Sequence, residues 1–355
     1  MRLTDRGAER LGIVPAMSLA EPARPLVDAA IGSVCTACVA LVEREGRRDV
    51  YAAGSLQPDG GDDARCVVDT LFDLASLTKL ATTALVLTLV RDGDVRLDAP
   101  FRELWPDFRD ERPTLRQVLT HSAGLAWWRH FYQEANGVDA IVALAASEEL
   151  AYPPGIGYAY SDLGYIMLTA ALARIGEAPF ARLVAERVLR PLGIGEDELR
   201  YLPSDRRRCA ATELDSAWRR RRLRGEVDDE NAFAMGGIAG HAGLFGTAEA
   251  VATLMRVFAR GDLIGADLLK EARREQAQGP NARRGLGLAL RAPAGPMCGE
   301  RFSLASFGHL GFTGTSAWYD PEKDLLVVLL TNAVYYGRQE HGLYPFRIAV
   351  HEALS

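Results

Sequence analysis

Strand-type patterning gathers at the two ends of this chain, and helix-type patterning fills the middle. Val34–Glu43 and Arg48–Ala53 read as two strands turning around Gly46. After residue 285 the strand pattern returns at Gly285–Leu290, Arg301–Phe307, Thr315–Tyr319 and Leu325–Thr331, with Asp320-Pro321-Glu322-Lys323-Asp324 as the last turn. Between these ends the periodicity is helical. One helix leads from Ser76 to the turn Arg91-Asp92-Gly93-Asp94, and others cover Leu163–Ile175 and Phe180–Leu189. Thr247 caps another that runs to about Ala259. Thr114-Leu115-Arg116-Gln117 has the form of a capping box. A short helix is expected over residues 16–31 and a closing one over Gly342–Leu354. This order predicts an α/β (α+β) chain whose sheet lobe is built from both ends, residues 1–80 and 265–355. A mainly helical lobe, residues 81–264, is inserted between them. With 355 residues, the chain exceeds the ~250–300 at which single cores usually divide.

Composition narrows the functional classes. The chain is 48% hydrophobic and 25% charged, with a formal charge of −6, which gives no general case for nucleic acid or membrane binding. Two basic runs, Arg206–Arg208 and Arg219–Arg222, raise the alternative of an anion or RNA site. The reading preferred for them is a solvated helix face balanced by Glu226, Asp228, Asp229 and Glu230. Thr82–Val90 is apolar but too short to span a bilayer. Met1–Arg24 carries charges throughout and no apolar run of signal-peptide length. The expected location is cytoplasmic, or periplasmic if a leader has been removed. Cys35-Thr36-Ala37-Cys38 has metal or redox spacing, but no second pair completes a site. Its setting in a Val/Ala-rich run predicts buried thiols, and neither metal nor cofactor is expected.

The chemistry concentrates at Phe72-Asp73-Leu74-Ala75-Ser76-Leu77-Thr78-Lys79. Residues three apart share a helix face, so Ser76 and Lys79 meet one turn apart. A serine hydroxyl needs a neighbouring base to become a nucleophile. A lysine serves as one if burial disfavours its charged form. Only three of the 41 basic residues are lysines (Lys79, Lys270 and Lys323). Where charge alone is wanted this chain uses arginine, so Lys79 is marked as a side chain that must deprotonate. Tyr160, in a turn before a helix, can share a proton with such a lysine. His309-Leu310-Gly311-Phe312-Thr313-Gly314-Thr315 opens a strand whose two glycines let a substrate lie against backbone. His309 there can reach a substrate carboxylate.

Three motifs, Ser76-Leu77-Thr78-Lys79, Tyr160-Ser161-Asp162 and His309-Leu310-Gly311, stand in the order and approximate spacing found in serine β-lactamases and penicillin-binding proteins. The chain resembles most the class C β-lactamase-like group, with its esterases, D-amino-acid peptidases and wall amidases. Leu119-Thr120-His121-Ser122-Ala123-Gly124-Leu125, Pro153-Pro154-Gly155, Arg190-Pro191-Leu192-Gly193 and Gly311-Phe312-Thr313-Gly314-Thr315 extend the resemblance over roughly residues 20–350. It implies an antiparallel sheet lobe flanked by helices, a helical lobe, and a site between them. It implies Ser76 as acylated nucleophile, Lys79 as base, Tyr160 as proton relay, and the amides of Ser76 and Phe312 as an oxyanion hole. Asp162, His309, Gly311 and His241 would meet the substrate.

Two departures from the family pattern bear on activity. Asp162 stands where an asparagine amide usually meets the substrate's acyl side chain, and an ionised carboxylate cannot donate. It can instead pair with Lys79 and raise the lysine's pKa. His309 stands where true β-lactamases carry a lysine, and histidine is only partly charged at neutral pH. Asp229-Glu230-Asn231-Ala232 and Gly236–Phe245 around His241 resemble a signature of members acting on wall peptides or muramyl amides. The expected function is a metal-free serine amidase, peptidase or esterase on a small molecule or peptide. The alternative is a weak β-lactamase or a non-turnover penicillin or wall-fragment sensor. The oligomeric state is left open.

Overall fold

The computed structural model describes residues 18–60, 64–339 and 341–355. Its strands are β1 (Ala37–Arg44), β2 (Arg47–Gly54), β3 (Phe72–Asp73), β4 (Leu199–Tyr201), β5 (Ala211–Asp215), β6 (Arg221–Arg224) and β7 (Leu244–Gly246). The second half adds β8 (Ala277–Gly279), β9 (Ala282–Gly285), β10 (Leu288–Leu290), β11 (Phe307–Leu310), β12 (Ser316–Asp320) and β13 (Leu325–Thr331). Eight of them form one antiparallel sheet in the order β2-β1-β13-β12-β11-β10-β9-β8. The first and last long strands are therefore neighbours, with Cys38 opposite Thr331 and Arg44 opposite Leu325.

Period-two alternation explains how this sheet is covered. Val39 and Leu41 of β1, with Leu326, Val328 and Leu330 of β13, join the large core that contains the helix Ala248–Arg260. Cys38, Ala40 and Val42, with Leu325, Val327 and Leu329, face a second core made with the helices Arg24–Ala30 and Leu343–Leu354. Successive side chains on a strand point to opposite faces, so sandwiching the sheet between helices makes these strands continuously apolar.

The helix Thr78–Asp92 is buried from Thr78 to Leu89. A helix that is buried on every side belongs to the middle of a large core. It closes on Gly93, whose φ of 85° is the left-handed geometry that suits glycine. Leu163–Ile175 packs beside it, and Thr114 and Gln117 do form a capping box for Leu115–Leu119. No helix among the described residues is long and apolar enough to cross a membrane.

Several expectations are corrected. Gly285–Leu290 is two strands joined by a turn, because Gly287 adopts a φ of 63°. Arg301–Phe307 is strand only from Phe307. The middle of the chain is mainly helical but also carries β4–β7. Of the two arginine runs, Arg206–Arg208 does form a short solvated helical turn, but Arg219–Arg222 does not. Arg221 and Arg222 lie on the β5–β6 hairpin, and Arg219 is buried, donating to Asp215 Oδ2 and to the carbonyls of Val227 and Asp228. All five cysteines are buried free thiols, as the apolar setting of Cys35 and Cys38 implied for those two. Residues 16 and 17 of the first expected helix lie outside the described residues.

Candidate active site

The nucleophile stretch is shaped by a buried carboxylate that sequence reading passed over. Asp73 ends β3 and accepts from the Ala75 amide at 2.9 Å and the Asp228 amide at 2.6 Å. Ala75 has a φ of 45°, costly for a residue with a Cβ. The Asp73 bond holds that conformation and turns Ser76 out at the first turn of the helix. Burial pushes the Asp73 carboxyl up to about 6, against the pull of those two amides. Thr313 Oγ1 donates to the Asp73 carbonyl at 2.7 Å and Thr315 Oγ1 to the Leu74 carbonyl at 3.1 Å. The Ser76 turn and the strand carrying His309 are thereby fastened together.

Lys79 has no solvent exposure. Its ammonium donates to Ser76 Oγ at 2.9 Å and to the His241 carbonyl at 3.1 Å, and Asp162 Oδ1 is 2.6 Å away. Burial works to lower the Lys79 pKa, but the adjacent Asp162 charge and the Tyr160 oxygen outweigh it, and the net shift is upward. The sequence-based picture of a lysine discharged by burial is thus corrected: in the free enzyme Asp162 keeps Lys79 protonated. Tyr160 is half-buried, with its hydroxyl inaccessible and its ring centroid 5.0 Å from Lys79 Nζ. Its hydroxyl has no well-formed hydrogen bond to any described residue. Burial raises the phenol pKa, and the Lys79 charge only partly offsets this.

His309 differs from expectation in two respects. It is buried in β11, and burial together with Arg284 and Lys79 drives its pKa well below the ordinary value, so the ring is neutral at pH 7 rather than partly charged. Nδ1 lies 2.8 Å from the Leu310 carbonyl, to which it donates, so Nε2 is an acceptor facing the cleft with no partner among the described residues. It accepts rather than donates, and so cannot itself hold a carboxylate. The cation at this place is Arg284 on β9, whose guanidinium lies 5.2 Å from the Tyr160 ring centroid and 5.3 Å from that of Tyr158. Arg284 makes no ion pair with a described carboxylate.

The remaining expected residues fall around the same cleft. Gly311 leaves no room for a side chain, since an added Cβ would stand 2.0 Å from Thr315 Oγ1 and 2.7 Å from the Leu74 carbonyl. The Phe312 amide that follows has no acceptor among the described residues. His241 Nε2 meets Asp229 Oδ1 at 2.9 Å. Two cavities open from Ser76. One, of about 440 Å³, runs past Arg284, His309 and Phe312. The other, of about 310 Å³, runs past Trp127, Trp128, Asp162, Asp228 and His241. The structure brings Ser76, Lys79, Tyr160, Asp162, His241, His309, Gly311 and Phe312 to one place.

Sequence reading missed Asp73, His121, Arg284 and Arg338. His121 lies tilted against the Tyr160 ring, with centroids 4.5 Å apart, and accepts from the Ser161 amide at 3.1 Å, and so sets the Tyr160 turn. Its place in the Leu119–Leu125 phrase was the signal available for it.

This geometry can be set beside known proteins. The family model described as Beta-lactamase matches residues 27–351. A protein of Escherichia coli (strain K12) named "Putative D-alanyl-D-alanine carboxypeptidase" is 30% identical over 308 residues, covering 76% of this chain and 70% of that protein. Among solved structures, EstCE1, "a hydrolase with promiscuous acyltransferase activity", superposes with a TM-score of 0.77 at 22% identity, covering 95% of this chain and 98% of that one. The D-amino acid amidase of Ochrobactrum anthropi SV3 gives 0.73 at 20%, covering 94% and 98%. A match to the family model along nearly the whole chain, together with the similarity to the E. coli protein, shows that this chain belongs to the beta-lactamase family of serine hydrolases.

Proposed function

We propose that this protein is a serine peptidase of the D-alanyl-D-alanine carboxypeptidase kind, working through an acyl-enzyme on Ser76. The observation that carries this reading is the cation Arg284, without a carboxylate partner and beside Tyr160, in the cavity that opens from Ser76. A peptide's terminal carboxylate is the anion that such a place accepts. The names of the relatives favour the same substrate class.

The steps follow from the groups present. Ser76 Oγ attacks the carbonyl carbon of the penultimate residue, and its proton passes into the Tyr160–Lys79 pair. The carbonyl oxygen takes the negative charge and is met by the amides of Ser76 and Phe312. The peptide C–N bond then breaks, and the leaving amine takes the proton back from the pair. Water next attacks the ester on Ser76, giving its proton to the same pair, and frees the acid and the serine hydroxyl. Lys79 rests as an ammonium, so the pair must lose a proton before it can act as base, and the rate rises with pH.

A second reading, an esterase on small acyl groups, is favoured by the neutral His309, which offers no fixed charge. The two are separated with D-alanyl-D-alanine and its C-terminal amide. The peptidase reading expects the free carboxylate to be preferred by about tenfold or more in kcat/KM, the scale of a charge-assisted bond, and Arg284→Gln to erase the preference. Equal rates for the two substrates in the wild type contradict it.

A further inference from the structure

The second cavity beside Ser76 contains buried acceptors that no described residue satisfies. Asp228 is 1% exposed, and neither of its oxygens has a well-formed hydrogen bond to any described residue. The Thr212 hydroxyl lies close by and favours the charged form of Asp228, without a well-formed hydrogen bond. The nearest cation, Arg338, stands 3.8 Å from Asp228 Oδ1 and is held more closely by Glu213 and by Glu230, the latter at 2.7 Å. His241 is also 1% exposed. Its Nε2 is taken by Asp229, and its Nδ1 has no partner among the described residues. Both side chains line the same cavity as Ser76 and Asp162. Both Asp228 oxygens and His241 Nδ1 are thus buried polar atoms in one space, without a well-formed hydrogen bond to any described residue. A buried carboxyl with both oxygens unbonded calls for a donor in that space.

The surroundings specify the donor's charge. The cavity is lined by Asp162, Asp228, Asp229 and Glu230 against the single guanidinium of Arg338. Trp127 and Trp128 supply aromatic walls, which attract cations through their ring faces. Asp162 stands where the family resemblance places the residue that meets the substrate's acyl side chain. The cation therefore belongs to the acyl half of the substrate, in the cavity that Arg284 does not line.

We propose that the cavity of Trp127, Trp128, Asp228 and His241 binds the protonated α-amine of the substrate's acyl residue, so that the enzyme takes short peptides with a free amino end. Its substrates are then zwitterionic, with the amine held here and the carboxylate at Arg284, and a dipeptide spans the two. The acyl-residue part rests on the serine-hydrolase reading above, and the dipeptide part on the carboxypeptidase reading as well. Burial, with Glu213 and Asp73 crowding it, pushes the Asp228 carboxyl up to about 8, and Arg338 offsets this only in part. An ammonium at the cavity supplies the positive charge that Asp228 lacks.

The test compares D-alanine methyl ester with N-acetyl-D-alanine methyl ester, which differ in the amine and require only acyl transfer. The expected result is a kcat/KM at least about tenfold higher for the free amine, a ratio that Asp228→Asn brings close to one. An equal or inverted ratio in the wild type overturns the proposal, as does a ratio unmoved by Asp228→Asn in a variant that keeps its circular dichroism spectrum. Should neither ester turn over, calorimetry of D-alaninamide and N-acetyl-D-alaninamide on Ser76→Ala decides it. Tighter binding of the free amine supports the amine site, and equal or tighter binding of the acetylated amide overturns it. A clear amine preference without cleavage of D-alanyl-D-alanine would contradict the carboxypeptidase reading and leave the amine site standing.

Discussion

Lys79 is held between two opposing influences, a fully buried setting that disfavours its charge and a carboxylate at 2.6 Å that favours it. Asp162 is the larger of the groups that oppose burial, so Asp162→Asn leaves only Tyr160 against it and lowers the lysine's pKa. The acid limb of the pH–rate profile should then move toward lower pH by about one unit or more. A limb that stays in place would show that Lys79 does not set it. Lys79→Arg keeps the charge but cannot deprotonate, and should cost ~10²-fold or more in kcat on an ester substrate. The neutral His309 and the acidic Asp162 replace the two donors that the family pattern offers a β-lactam. Nitrocefin kcat/KM should therefore fall at least about a hundredfold below the ~10⁶ M⁻¹s⁻¹ of well-adapted enzymes, and rise in Asp162→Asn/His309→Lys. The meeting of Ser76 and Lys79 was legible in the sequence because three-residue spacing puts them on one helix face, and Tyr160 was drawn in by the order of the three motifs. Arg284 and Asp73 were not, because their importance arises from contacts across the fold that no local pattern encodes.

At the scale of elements, β11, which carries His309 near its end rather than at its start, is fastened to the Ser76 turn by Thr313 and Thr315 of the loop that follows, and Gly311 permits that closeness. Gly311→Ala must push Thr315 or Leu74 aside and move the Phe312 amide. We expect ~10²-fold or more off kcat, the scale of losing one oxyanion donor, with circular dichroism unchanged. Nearly normal kcat in Gly311→Ala would show that this amide is not used. Long helices such as Leu163–Ile175 were legible to the residue, since thirteen residues of 3.6 periodicity leave little ambiguity. The three-residue strands β4 and β7 were not, since such short segments carry no period and pair only because the Ser76 turn lies beside them. Arg219–Arg222 misled for a related reason. A charged run reads as solvated, yet Arg219 is buried by hydrogen bonds to Asp215 and two carbonyls.

For the whole molecule, the sheet depends on joining residues nearly three hundred positions apart. Asn332, buried just after β13, accepts from the amides of Thr36 and Ala37 and donates to Thr36 Oγ1 and the Ala211 carbonyl, at 2.7–3.0 Å. One side chain thus ties the last strand to the first and to the β5–β6 hairpin. Asn332→Ala strands several buried polar groups, and should cost about 3 kcal/mol or more in urea unfolding. A loss below about 1 kcal/mol would show that the strands hold without it. That both ends of the chain share one sheet was readable from the placement of strand patterns. The strand order was not, because pairing partners are chosen by packing across the sheet.

The account as a whole depends on a covalent bond at Ser76. Intact-protein mass spectrometry after brief reaction with a slowly deacylated β-lactam, followed by peptide mapping, should show one acyl adduct, carried by the peptide containing Ser76 and absent from Ser76→Ala. An adduct on another residue, or ester hydrolysis persisting in folded Ser76→Ala, would contradict the account.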